Sequence, residues 1–170
     1  MKKIPKRVYI IAYVLVLIVI VFASCGGSKQ EVGFPNKDIY YGMSVTELKN
    51  VFGEPKDSYN TESASICYIF DFENDEISGE CIFEFMHNEL FTMDFISKTG
   101  YDKSTAQKLS DSIERFYKNK DGFFFDEENP DRLPFHKEFG INDKNGATGR
   151  YVTVEEDYMG KITITAINSI

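Results

Sequence analysis

Three consecutive segments in the first half of the chain alternate apolar and polar residues, and this pattern constrains the fold more than any other feature. The segments are ICYIFDFE (66–73), GECIFEFM (79–86) and LFTMDFI (90–96). A period of two with one strongly aromatic face is typical of half-buried antiparallel strands. Polar residues at 74–75 and 87–89 predict the two turns of a meander.

The turn lengths decide which side chains share a face. A three-residue turn at 87–89 would place Phe85 opposite Phe91 and Met86 opposite Leu90. We expect helices to cover the aromatic face, which comprises Tyr68, Phe70, Phe72, Phe83, Phe85, Phe91 and Phe95. The other face mixes carboxylates with apolar side chains, which is typical of a contact surface. The candidate partner surface comprises Ile69, Ile82, Met86, Leu90, Thr92 and Ile96. The alternative is that the second half of the chain, or another protomer, covers this face as ordinary core.

A short helix over 44–52 is predicted just before the meander. Ser44 and Glu47 have the spacing of a capping box, in which each side chain bonds the backbone amide of the other residue. The apolar positions Val45, Leu48, Val51 and Phe52 line one side. Gly53 and Pro55 then stop the helix, because glycine accepts a positive φ and proline cannot continue a helix.

The segment Gly42-Met43-Ser44, followed by Leu48, by Phe52-Gly53-Glu54-Pro55 and by the meander, resembles the SmpA/OmlA (BamE-like) domain of small envelope lipoproteins. The related β-lactamase-inhibitor-protein-like fold carries this unit twice. The resemblance covers about residues 38–97. It implies an α+β fold and, as the best-known role of the family, a part in outer-membrane assembly.

The second half shows a similar order of elements. Asp102 can cap a helix to about residue 118 with an apolar stripe, and the stripe comprises Ala106, Leu109, Ile113, Phe116 and Tyr117. Strand patterns follow at 122–126, 150–156 and 161–167, with a long irregular stretch at 127–148 that could hold a short strand at 135–141. The predicted fold class is therefore α+β, an antiparallel sheet with helices on one face, built from two tandem α-β-β-β units at 38–98 and 99–170.

The N-terminus has four basic residues and an apolar stretch at 8–23, which is the pattern of a secretory signal. The following Phe22-Ala23-Ser24-Cys25 resembles a bacterial lipobox, in which the cysteine is lipidated and becomes the new N-terminus. This implies a signal peptide at 1–24, an extracytoplasmic protein anchored to the cell membrane by lipid at Cys25, and a flexible tether at 25–37. The alternative is an uncleaved membrane helix, for which about 20 apolar residues are needed.

The chain has 19 basic and 27 acidic residues, a net charge of −8. Removal of residues 1–24, which carry four of the basic residues and no acidic one, would make it −12. Such a charge argues against nucleic acid as a partner, since nucleic-acid binding needs a basic surface.

With Cys25 lipidated, two cysteines remain. Cys67 and Cys81 fall on opposite faces of the predicted sheet, so we expect two free thiols rather than a disulfide. Cys67 is expected on the outer face and Cys81 beneath the helix.

The search for reaction chemistry finds no motif for a catalytic site, a cofactor, a metal or a small-molecule substrate. His87 falls in a predicted turn and His136 in the long loop. The acidic runs at 71–76 and 126–131 do not have the residues of a calcium loop at the required positions. The leading hypothesis is a non-enzymatic lipoprotein that binds a protein partner. The alternatives are an outer-membrane assembly factor and a cell-wall hydrolase that uses paired carboxylates.

Overall fold

The computed structural model describes residues 29–127, 133–142 and 148–168. Within these ranges there are two helices, α1 (Val45–Phe52) and α2 (Lys103–Lys118). The strands are β1 (Gln30–Glu31), β2 (Tyr40–Tyr41), β3 (Asp57–Asn60), β4 (Ile66–Glu73), β5 (Ser78–Met86), β6 (Glu89–Ser97), β7 (Phe123–Glu127), β8 (Phe135–Asn142), β9 (Thr148–Glu156) and β10 (Ile162–Asn168).

The predicted fold class, α+β with two tandem α-β-β-β units, is wrong. The described part of the chain is mostly β: strands β3 to β10 form one eight-stranded antiparallel sheet in the order β3-β4-β5-β6-β10-β9-β8-β7, and β1 and β2 form a separate pair. Four strands, not three, follow each helix. Strands β6 and β10 pair with each other in the middle, where Phe95 lies opposite Ile164, so the two halves share one continuous sheet.

Strand β3 was not predicted from the sequence, and β8 was anticipated only as a short strand at 135–141. Strand β3 is a short edge strand whose four residues are all exposed, so it carries no apolar alternation to detect. Strand β8 lies inside the stretch at 127–148 that was predicted to be mainly irregular, and it runs over eight residues with buried Phe135, Phe139 and Ile141.

Helix α1 begins and ends where its local chemistry requires. The Ser44 hydroxyl accepts a hydrogen bond from the Glu47 amide at 3.3 Å, and the Glu47 carboxylate accepts one from the Ser44 amide at 2.8 Å. The helix ends at Gly53, whose φ of 84° suits a residue without a Cβ. The capping box is therefore confirmed.

The second hairpin turn is one residue shorter than predicted. Only His87 and Asn88 form it, with φ values of 53° and 66°, as in a two-residue turn of the kind that matches strand twist. Phe85 lies opposite Leu90, not Phe91, and Met86 lies opposite Glu89. A bulge then absorbs the extra residue, and beyond it Met93 and Phe95 return to the aromatic face.

The hydrophobic core lies on one side of the large sheet, which we call the inner face. Phe52 of α1 packs on Phe70 and Phe83, with ring centroids 5.3 and 5.2 Å away. Tyr117 of α2 packs on Phe139 of β8 at 5.8 Å. Both helices therefore cover the same face of the sheet.

The segment before α1 also packs on the inner face. Val32 and Phe34 are buried, and the Tyr117 hydroxyl donates a hydrogen bond of 2.6 Å to the Val32 carbonyl. The ring of Phe34 meets that of Phe95 at 5.4 Å. The packed part of the chain thus starts before the predicted boundary at residue 38, within the expected tether at 25–37.

The predicted signal peptide at 1–24 and the predicted lipidation site Cys25 lie outside the described residues. Of the two helices described, neither has the length and apolar character needed to cross a bilayer.

Candidate functional site: the open face of the sheet

The side of the eight-stranded sheet opposite α1 and α2 is the candidate site, and we call it the open face. The strand register assigns its side chains. The first half contributes Asp57, Tyr59, Cys67, Ile69, Asp71, Glu80, Ile82, Glu84, Thr92, Asp94 and Ile96. The second half contributes Phe124, His136, Glu138, Tyr151, Thr153, Glu155, Thr163, Thr165 and Ile167. The face is thus a mixture of carboxylate, hydroxyl, aromatic and aliphatic side chains.

The structure places four of the six predicted surface residues in the middle of the open face. Ile69, Ile82, Thr92 and Ile96 lie on the open face. Met86, at the end of β5, lines with Phe91 a cavity of about 330 Å³ beside the hairpin turn. Leu90 was assigned wrongly: because the turn is shorter, it faces the core and is only 1% exposed.

The face carries three large apolar side chains that are well exposed. Tyr59, Ile96 and Ile167 are 47%, 39% and 36% exposed. They come from β3, β6 and β10, so they are spread across five of the eight strands. Tyr59 was not predicted as a surface residue, because strand β3 has no apolar alternation. Ile167 was not predicted either, although the alternation in KITITAI indicates a strand with Ile167 on one face.

At one end of the open face, His136 lies between two carboxylates. Its Nε2 is 3.0 Å from Glu138 and its Nδ1 is 2.9 Å from Glu155. The Glu138 carboxylate also accepts a hydrogen bond from the Tyr151 hydroxyl. The placement of His136 in a loop was therefore wrong, since the residue belongs to β8 and its side chain is 11% exposed. His87 lies in the hairpin turn, which confirms its placement.

At the opposite end of the open face, Lys56 forms ion pairs with two carboxylates. Its ammonium group is 2.6 Å from Glu80 and 3.4 Å from Asp71. These contacts are exposed to solvent, so they contribute little to stability. They nevertheless provide a cation for the carboxylates at this end of the face.

The centre of the open face contains Glu84 and Asp94, which have hydroxyl partners. Ser65 donates a hydrogen bond to Glu84, and Thr165 donates one of 2.6 Å to Asp94. Burial and the negative charge of Glu84 raise the pKa of Asp94, although the hydrogen bond from Thr165 opposes the rise. Among the described residues, no lysine, arginine or histidine forms an ion pair with either carboxylate.

The two remaining thiols lie on opposite faces of the sheet and are free, as predicted. Cys81 is fully buried on the inner face, and burial raises the pKa of its thiol strongly. Cys67 is also buried, since Tyr59 on the edge strand lies opposite it, and burial raises its pKa. Cys67 therefore lies on the outer side of the sheet, as expected, but its thiol is buried.

In the part of the chain that the structure describes, the inner face holds one buried cation, which has two carboxylate partners. The Lys137 ammonium lies 2.5 Å from Glu114 and 3.3 Å from Asp111, both on α2. Burial would lower the pKa of Lys137, but the hydrogen bonds and charges of these two partners outweigh it and raise the pKa. This cluster attaches the middle of α2 to the sheet.

Burial raises the pKa of two described carboxyl groups, and they lie on different faces of the sheet. Of the described carboxyls, burial raises the pKa of Asp94 and Glu156. Asp94 is on the open face, whereas Glu156 is opposite Phe135 on the inner face. The sheet therefore separates these two carboxyl groups.

The acidic run at 71–76 is divided between the end of β4 and the following turn. The run at 126–131 lies mostly outside the described residues. Within the described ranges, no three histidine, cysteine or acidic residues are grouped to hold a metal ion.

Comparisons with known proteins do not identify a family for this chain. No protein-family model matches the chain, and no curated protein matches it. A solved structure of a cysteine-rich secretory protein from Staphylococcus aureus subsp. aureus Mu50 is similar with a TM-score of 0.42 and 10% sequence identity. The match covers 84% of this chain and 48% of that chain, so this chain spans about half the length of that protein. A TM-score this low carries no argument about fold or function.

Proposed function

We propose that this protein is a non-enzymatic, extracytoplasmic lipoprotein that binds a protein partner through the open face. One observation carries the proposal. Both helices and the N-terminal segment pack on the inner face, while the open face exposes Tyr59, Ile96 and Ile167 and is not covered by any described element. Exposed apolar side chains surrounded by charge are the usual composition of a protein contact surface.

The membrane anchor in this proposal rests on the sequence of residues 8–25. Lipid at Cys25 would hold the folded part close to the membrane surface, and the net negative charge would keep it away from anionic lipid. A Cys25→Ala variant should therefore accumulate as an unprocessed precursor of higher mass. Mature protein produced from this variant would contradict the lipid anchor but not the binding face.

Site-specific photo-crosslinking in the native membrane tests the binding face. A photoreactive side chain placed at Ile96 should give a discrete adduct, and one placed at Tyr59 should give an adduct with the same partner. Met159 provides the matched control, because it is 79% exposed in the β9–β10 turn and lies outside the open face. An adduct from Met159 but none from Ile96 or Tyr59 would place any partner elsewhere.

A substitution then tests whether the contact matters for binding. Ile96→Lys should remain folded, because the side chain already faces solvent, and should abolish the adduct formed at Tyr59. Met159→Lys should leave that adduct unchanged. Persistence of the Tyr59 adduct in Ile96→Lys would show that the centre of the face is not in the interface.

A further inference from the structure

The carboxylates of the open face differ in the way their charge is balanced. At the two ends of the face, Lys56 pairs with Asp71 and Glu80, and His136 contacts Glu138 and Glu155. In the centre, Glu84 and Asp94 receive hydrogen bonds from neutral hydroxyl groups. The described residues therefore supply a basic group at the ends of the face but none at its centre.

The central pair is unfavourable as it stands. Asp94 is partly removed from water, and the charge of Glu84 opposes its ionisation. Glu84 lies opposite Thr92 and Asp94 opposite Ile82, so the two carboxylates are diagonal neighbours on adjacent strands β5 and β6. Diagonal neighbours in a sheet are close enough for long side chains to interact. One positively charged group placed between the two carboxylates would offset the negative charge of both.

The surroundings of the pair indicate the kind of cation. Ile82 lies directly opposite Asp94, and Ile167 of β10 lies directly opposite Thr92. These aliphatic side chains on either side would pack against a long alkyl stem, and the carboxylates would accept hydrogen bonds from its charged end. Lysine and arginine combine such a stem with such an end.

We propose that the centre of the open face is the docking site for a basic side chain, arginine or lysine, of the protein partner, held between Glu84 and Asp94. This inference rests on the proposed function, since it names the partner chemistry of that same face. The partner therefore presents a basic surface, and its association weakens as the salt concentration rises.

The test uses the full chain in non-ionic detergent and a defined probe. The probe is the peptide acetyl-Thr-Ile-Arg-Ile-Thr-amide, and the control peptide carries citrulline, a neutral analogue of nearly the same shape, in place of arginine. Titration at millimolar concentration is followed by amide NMR shifts. The arginine peptide should shift the amides of Glu84, Asp94 and Thr165 in a saturable way, and the citrulline peptide should bind about tenfold more weakly, as expected for the loss of one charge-assisted hydrogen bond.

A pair of charge-matched variants separates a specific site from general attraction. Glu84→Gln with Asp94→Asn removes two negative charges from the site. Asp75→Asn with Glu76→Gln removes two from the exposed β4–β5 turn, outside the open face. The first variant should lose about tenfold in affinity for the arginine peptide, whereas the second should lose less than about twofold.

Three outcomes would overturn the inference. These are equal binding of the two peptides, equal losses in the two variants, and shifts that are absent or lie away from the open face. Any of them is compatible with crosslinking at Ile96 and Tyr59, so the charge proposal can fail while the proposed function stands. Failure of the crosslinking would instead remove the proposed function.

Discussion

Ile82 and Phe83 are neighbours on β5, yet they belong to two very different surfaces. Phe83 is fully buried among aromatic rings on the inner face, whereas Ile82 is half-buried on the open face next to Asp94. The charged groups show the same contrast. Lys137 on the inner face has two carboxylates for partners, but Asp94 on the open face has no basic partner among the described residues. The inner face thus supplies partners for its buried lysine, whereas the described residues of the open face supply no basic partner for Asp94.

Because of this difference, we expect the inner face to determine the stability of the fold and the open face to determine binding. Close packing and paired charges on the inner face stabilise the fold, so changes there are expected to be costly. Exposed apolar groups and unpaired charge on the open face contribute little to the fold, so changes there should mainly affect binding.

The largest effect is expected from truncation of an aromatic ring on the inner face. Phe83→Ala should lower the free energy of unfolding by about 3–5 kcal/mol, because it removes a buried ring and leaves a cavity. Ile82→Ala, one residue away on the open face, should cost about 1–2 kcal/mol since its side chain is only half-buried. Chemical denaturation measures both. Equal losses would mean that the open face is packed as core.

Removal of the buried cation should have the next largest effect. Lys137→Met should destabilise the protein by about 2–3 kcal/mol, less than the loss of a fully buried pair, because Asp111 is 49% exposed and stays hydrated. The control is Lys161→Met, at an exposed lysine near the β9–β10 turn, which should change stability by less than about 0.5 kcal/mol. Similar small effects in the two variants would show that the pairing with α2 does not hold the inner face together.

A steric test of the inner face uses Gly79. A Cβ at this position would lie 2.3 Å from the Ile96 carbonyl oxygen and 2.6 Å from the Phe95 ring. Gly79→Ala should therefore cost about 1–3 kcal/mol through overpacking. On the open face, Thr163→Ala should cost less than about 0.5 kcal/mol. Wild-type stability in Gly79→Ala would show that β5 and β6 can move apart at little cost.

Much of this contrast could be predicted from the sequence, and the part that could not has identifiable causes. Alternation over several residues fixed the faces of β4 and β5, because one slip would expose every aromatic ring. The second hairpin turn was predicted one residue too long, since His87 and Asn88 adopt positive φ and the bulge near Phe91 restores the register beyond it. Leu90 was therefore assigned to the wrong face.

The second half of the open face was missed because it depends on long-range pairing. The sequence of β10 indicates that Thr165 and Ile167 share a face, but only the pairing of β10 with β6 places Thr165 opposite Asp94. Local patterns cannot show that residues 71 positions apart lie side by side. The edge strand β3, with four exposed residues, had no apolar signal at all.

The alkylation rates of Cys67 and Cys81 compare the two faces without a measurement of stability. Cys81 lies under the core, whereas only the short edge strand β3, through Tyr59, covers Cys67. Local opening of an edge strand needs less free energy than opening of the core. Cys67 should therefore be alkylated faster than Cys81 in the folded protein, and Tyr59→Ala should speed its reaction further. Mass spectrometry of the labelled peptides checks both, and equal rates for the two thiols would mean that they are exposed only by global unfolding.

The smallest effect, a pH-dependent one, is expected at Asp94. Burial, followed by the charge of Glu84, raises its pKa in the folded state. The folded protein therefore holds this proton more tightly than the unfolded chain, whose aspartate pKa is about 3.9. The resulting stability is present below that value and is lost as the pH rises through the pKa of the folded state. Asp94→Asn keeps an acceptor for Thr165 and carries no charge, so it should be more stable than the wild type at pH 7.

That advantage should disappear as the pH falls through the raised pKa of Asp94, because the wild-type carboxyl then becomes protonated, and denaturation curves at several pH values would measure it. Asp71→Asn is the control, because its exposed carboxylate already lies beside Lys56 and its replacement should give no gain at pH 7. If Asp94→Asn were instead less stable than the wild type at pH 7, the Asp94 carboxylate would be favourably balanced within the chain. The centre of the open face would then have no need of a cation from a partner, and the contrast with Lys137 on the inner face would disappear.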